Sequence, residues 1–114
     1  MAKALNFRSF AQPTLPITMN DKDETEFTIV TPSVELVERL EANQDAIAAV
    51  FERGDKESLD EVWRLAASLI SCNREGRQVT AEELKGKYGM SYKMLFVFLQ
   101  AYGEFIAEIE NAKN

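Results

Sequence analysis

The stretch Ser91-Tyr-Lys-Met-Leu-Phe-Val-Phe-Leu-Gln-Ala-Tyr-Gly-Glu-Phe-Ile-Ala-Glu-Ile109 decides the fold class. Leu95, Phe98, Leu99, Tyr102, Phe105, Ile106 and Ile109 recur at the three- and four-residue spacing of a helix, forming one continuous apolar stripe. Ser91 can cap its start, so the spacing predicts a helix from Tyr92 to about Ala112. Within it, Met94-Leu-Phe-Val-Phe-Leu99 is apolar nearly all round. At about 100° per residue, Phe96 and Val97 point about 120–140° away from the centre of the stripe. Either this helix is central, covered on both sides by other helices and by the N-terminal part, or it leaves apolar surface open for another chain or a copy of itself. Phe96 and Val97, with Met94 at the edge, are therefore the candidate protein-binding residues. On an open surface, Phe96→Asp weakens partner binding and leaves thermal stability largely unchanged.

Working upstream, Thr80-Ala-Glu-Glu83 reads as a capping box before a short helix, with Leu84 and Tyr88 as its apolar contacts and Gly89 as its stop. Leu59, Val62, Trp63, Ala66, Leu69 and Ile70 mark a longer helix that starts at Ser58 or at Asp55 and frays near Asn73. Thr31-Pro32 announces another, with Thr31 as the cap, running to Arg53 before Gly54. Val37, Leu40, Ile47, Ala48 and Phe51 share one face of it at helical spacing.

Before Thr31 the period changes to two. Leu15, Ile17 and Met19 alternate with polar or turn residues, as do Phe27 and Ile29 beyond Asn20-Asp-Lys-Asp-Glu24, which predicts an antiparallel hairpin with one buried face. Pro16 donates no backbone hydrogen bond and assigns its strand to an edge. An extended piece around Leu5 and Phe7 is expected to add a third strand. The expectation is an α+β, mainly α fold: a single domain over 1–114, with a hairpin part (1–30) packed on a four-helix part (31–114), and with Trp63, Phe98, Leu99 and Tyr102 in the core.

The bulk properties agree with a globular chain. At 114 residues, folding buries roughly two-thirds of the unfolded chain's surface, enough for one modest core. Nineteen acids against thirteen bases give a formal charge of -6, and the bases are scattered from Lys3 to Lys113, which speaks against a nucleic-acid partner. No apolar run is long enough for a membrane span, and Met1-Ala-Lys-Ala-Leu-Asn-Phe-Arg8 lacks the apolar centre of a secretion signal, so a cytoplasmic protein is expected. Cys72, the only cysteine, lies in the apolar run Leu69-Ile70-Ser71-Cys72 and reads as a packed thiol.

Nothing in the sequence assembles a catalytic centre. The absence of histidine removes the usual general base and the commonest metal ligand. Gly86-Lys87 lacks the spacing and the following Ser or Thr of a phosphate loop. Asp21, Asp23 and Glu24 suggest oxygen ligands, yet a calcium loop begun at Asp21 needs Gly and an acid where Glu26 and Pro32 stand. The expectation is no enzyme, no cofactor and no metal. A DNA-binding alternative is a helix-turn-helix over Thr80 to Phe105, but its second helix offers Met94-Leu-Phe-Val-Phe-Leu99 where base edges call for Arg, Asn or Gln.

Several features together carry a family resemblance. These are Pro13-Thr-Leu-Pro-Ile-Thr-Met19, the Thr31-Pro32 helix start, Asn73-Arg-Glu-Gly-Arg-Gln-Val-Thr-Ala-Glu-Glu-Leu84 and Leu99-Gln-Ala-Tyr-Gly-Glu-Phe-Ile106. The chain resembles the tail assembly chaperones of long-tailed phages and prophages of Gram-positive bacteria. The resemblance implies a non-catalytic protein of the host cytoplasm, absent from the finished virion. It would coat the long, apolar tape-measure protein and help tail-tube subunits assemble around it. It also implies a gene that can yield an extended product by ribosomal frameshifting, of which this chain would be the unextended form. No catalytic residue is carried over from the family.

Overall fold

The structure is a computed structural model, and it describes residues 13–111. The alternation in the N-terminal part forms β1 (Leu15–Thr18) and β2 (Glu26–Ile29), paired antiparallel with Leu15 opposite Ile29 and Ile17 opposite Phe27. Asp21 closes the turn between them: its carboxylate accepts from the Thr25 N–H at 2.8 Å and from the Thr25 hydroxyl at 2.5 Å. The far edge of β2 is tied to the segment after the third helix. Val30 N–H donates to the Cys72 carbonyl at 3.1 Å, and Arg74 N–H donates to Thr28 at 2.8 Å. Pro16 sits on β1, whose outer side pairs with no other strand among the described residues, in line with its missing donor. The third strand expected around Leu5 and Phe7 falls outside the described residues.

Five helices follow: α1 (Val34–Ala42), α2 (Gln44–Arg53), α3 (Leu59–Ile70), α4 (Ala81–Lys85) and α5 (Tyr92–Asn111). The single helix expected from Thr31-Pro32 to Arg53 is thus two, and the helical part has five helices where four were expected. Its cap is Ser33, not Thr31: the Ser33 hydroxyl accepts from Leu36 N–H at 3.2 Å, while β2's tie to Cys72 holds the chain extended past Val30. The break lies at Asn43, whose side-chain amide donates back to the Arg39 carbonyl at 2.8 Å. Such local side-chain bonding competes with the helical ladder, which restarts with Ile47 N–H donating to the Asn43 carbonyl at 2.9 Å. α2 ends where expected, on Gly54 in the left-handed conformation (φ 69°).

The central helix is α3, not α5. It contacts α1, α2, α4, α5 and β2, and it buries Leu65 and Ala67 in addition to the Val62, Trp63, Ala66, Leu69 and Ile70 of the expected face. Ala66 and Ala67 let neighbours approach closely, so an element that looks amphipathic is enclosed on nearly every side. Phe27, Ile29, Leu84, Leu95 and Tyr102 close around it. Each fully covered aliphatic or Phe side chain contributes about 1.5–3 kcal/mol by leaving water. Trp63, Phe98 and Tyr102 lie in this core as expected; Leu99 is only half-buried, on the flank of α5.

After α3, Asn73 organises the return of the chain. It is the one buried polar residue among those described, and its side chain donates to the carbonyls of Ile70 (2.8 Å) and Arg77 (2.9 Å) while accepting from Arg77 N–H (2.9 Å). The capping box then forms as read: Glu83 N–H donates to the Thr80 hydroxyl at 3.1 Å, and Thr80 N–H to the Glu83 carboxylate at 3.0 Å. α4 ends at Lys85, four residues before Gly89, because Gly86 already caps it.

Candidate functional site

Three anchors fix the first half of α5. The Ser91 hydroxyl accepts from Met94 N–H at 3.2 Å and begins the helix. On the α2 side, the Tyr92 hydroxyl donates to the Val50 carbonyl at 3.0 Å, and Phe51 packs against both Tyr92 (centroids 5.3 Å apart) and Phe96 (4.9 Å). On the hairpin side, Gly89 carries φ 63° and lies so close to the turn that a Cβ there would stand 2.8 Å from the Asn20 carbonyl oxygen. Only glycine meets both demands without strain. That close approach sets the hairpin beside α5, and the edge-on packing of Phe27 against Tyr88 (5.5 Å, 84°) holds it there.

Two depressions result, one on each flank of α5. The first, about 510 Å³, runs between the end of β1 and α5 and is floored by Ile17, Met19, Met90, Met94, Val97 and Ala101, with Lys93 at its rim. The second, about 170 Å³, lies between α5 and the α1–α2 pair and includes Leu40, Ile47, Phe51, Phe96 and Leu99. Met94 and Val97 are exposed in the first, at 38% and 53%; Phe96, at 37%, belongs to the second. The three residues expected to share one surface are thus divided by the helix: Met94 and Val97 come together, and Phe96 faces away from them onto Phe51.

The partners that complete the first groove come from elsewhere: Ile17 and Met19 from the hairpin, and Met90 from the turn before α5. A signal for it does exist in the sequence. Met90, Met94, Val97 and Ala101 follow one another at four, three and four residues, a secondary stripe overshadowed by the main one.

No family model, curated protein or solved structure matches the chain. The site is therefore read from its own chemistry. Its lining is mostly apolar, with Thr18 and Asn20 as neutral polar members and Lys93 as the single charged one, which suits adhesion to another apolar surface. The oxygen-rich turn is occupied with its own closure: hydrogen bonds first from the Thr25 hydroxyl and then from the Thr25 N–H hold the Asp21 carboxyl below the ordinary range. Among the described residues no three His, Cys, Asp or Glu side chains group as metal ligands, and no helix is long and apolar enough to cross a membrane. Cys72 is half-buried with its thiol 3.7 Å from the Thr31 carbonyl oxygen. Burial raises the phenol of Tyr102 above its ordinary value, and its hydroxyl has no hydrogen-bond partner. On the helix-turn-helix arrangement, Tyr92 and Phe96 at the start of α5 are engaged with α2, on the stretch a reading helix would lay against base edges.

Proposed function

We propose that this protein is a non-catalytic assembly chaperone of a long-tailed phage or prophage, binding the tape-measure protein through apolar surface on α5 and helping tail-tube subunits close around it. The observation that carries this reading is the groove between β1 and α5, where Met94 and Val97 stand exposed beside Ile17, Met90 and Ala101. A methionine-rich trough is adaptable, because the unbranched thioether side chain repacks around different partners. That property suits a protein that must cover successive stretches of a long polypeptide and then release them. The charge of -6 keeps such coated complexes soluble. The family resemblance of the sequence points to the same role, in the cytoplasm of a bacterial host.

The test is co-expression with the tape-measure protein of the phage or prophage whose genome carries this gene. With the wild-type chain, the tape-measure protein is recovered soluble and in complex; with Val97→Asp it aggregates or purifies alone. A tape-measure protein that is equally soluble with and without this chain, and never co-purifies with it, overturns the assignment.

A further inference from the structure

The chain as a whole is acidic, yet no Asp or Glu lines the groove beside β1, and its one charged lining residue is Lys93. An apolar trough whose one charged rim group is the Lys93 ammonium favours an occupant that pairs apolar side chains with acid. The chain's own first twelve residues carry Lys3 and Arg8 and no acid, so they would bring like charge to Lys93.

Backbone geometry selects the form of the occupant. In β1 the hydrogen-bonding groups of Ile17 face β2, and Met19 N–H likewise donates to Thr25 at 2.8 Å. The backbone groups of Thr28 point away from β1, toward Arg74 and Glu75, so its opposite number Pro16 also turns its backbone outward. The outer edge of β1 therefore presents Pro16, which has no N–H, and Thr18. One donor over four residues is a poor template for an added strand, whereas a helix has no need of backbone partners.

We propose that the groove between β1 and the first half of α5 is a docking site for an amphipathic helix of a partner protein, whose apolar face enters the methionine-lined trough and whose acidic flank meets Lys93. This rests on the partner-binding reading above and names the chemistry of the partner segment.

Three of the chain's four methionines, Met19, Met90 and Met94, line the groove, so methyl-labelled methionine gives a direct NMR readout in the full-length protein. The probes are two synthetic helical peptides of about 16 residues, about 24 Å long. They share one Leu/Ala face, and one carries Glu on its flank where the other carries Lys. The Glu peptide is expected to shift the Met90 and Met94 methyls, and to bind about three- to tenfold more tightly than the Lys peptide at low salt. Lys93→Glu, an exposed change, reverses that preference; Val97→Asp weakens both peptides. Equal binding of the two peptides to wild type and Lys93→Glu overturns the inference. So does a groove already filled by a second copy, seen as a dimer that Val97→Asp dissolves. So does one filled by the chain's own start, seen as Met94 shifts on Phe7→Ser without peptide. If the tape-measure protein still binds through Val97 while peptide charge has no effect, the docking inference fails and the chaperone reading stands. If neither the peptides nor the tape-measure protein binds, both fail.

Discussion

Val97→Asp and Phe96→Asp, adjacent changes of the same kind, should have very different effects. Val97 is 53% exposed, so the fold recovers only about half of the roughly 1.5 kcal/mol that full burial of a valine provides. Val and Asp have similar helix propensities, so the total loss for Val97→Asp is about 1 kcal/mol. Phe96 keeps a little under two-thirds of its surface covered, worth about 2 kcal/mol on the same scale. It also packs on Phe51 with centroids 4.9 Å apart, a contact worth about 0.5–1.5 kcal/mol more. Phe96→Asp should therefore cost about 3 kcal/mol, more than the sequence reading of an open surface expects. Trp63, the single tryptophan and buried in the core, reports unfolding by fluorescence in urea. The same two variants are then compared for recovery of soluble tape-measure protein. On the function proposed above, Val97→Asp should lose the tape-measure protein while remaining folded, with its melting temperature lowered by about 4–8 °C. Equal stability losses in the two variants, or full partner binding by Val97→Asp, would refute this division of the α5 surface.

Other consequences concern the elements that hold the groove in place. Gly89→Ala must place a Cβ 2.8 Å from the Asn20 carbonyl at a positive φ, so on the order of 2 kcal/mol should be lost in urea titration; a loss within error of zero would mean that the hairpin moves aside freely. Asn73→Ala removes three hydrogen bonds from a buried position and should cost about 2–3 kcal/mol, with amide exchange accelerated first at Arg77. The Asp21 carboxyl, held low first by the Thr25 hydroxyl, and that of Glu75, held low first by the Thr28 N–H, have ordinary values of 3.8 and 4.5. Because the fold lowers both, their contribution is complete above those values and disappears as pH falls through the lowered ones. Stability should therefore drop between pH 5 and pH 2, and drop less in Asp21→Asn/Glu75→Gln; an undiminished drop in that double variant would place the acid sensitivity elsewhere.

Which parts of this fold could be read from sequence depends on whether the deciding interaction is local. The hairpin, the Thr80–Glu83 box and the Gly54 stop each rest on a short stretch of sequence, and each formed as read. The Asn43 break is also local, but Asn is tolerated within helices, and only its bond back to Arg39 marks the interruption. The centrality of α3 is not local. Leu65 and Ala67 lie off its main stripe, and they are buried because five other elements converge on that helix. The excess apolarity of Met94-Leu-Phe-Val-Phe-Leu99 made α5 the natural candidate for the centre from composition alone.

The excess apolarity of α5 acquires its meaning from α3 holding that place. With Leu95, Phe98, Tyr102 and Phe105 already turned to the core, the apolar residues on either flank of α5 are surplus to the enclosure of the fold. On one flank the surplus is half absorbed, since Phe96 and Tyr92 close on Phe51. On the other it is not: Val97 remains more than half exposed beside three methionines and a lysine. The exposed half of such a side chain adds nothing to folding, and on the function proposed above it is the part left for a second chain to cover. Sequence periodicity could show that such a surplus existed, but not on which side of the helix it would be left open. That was decided by Gly89, which brings the hairpin turn within contact distance and gives the groove its second wall.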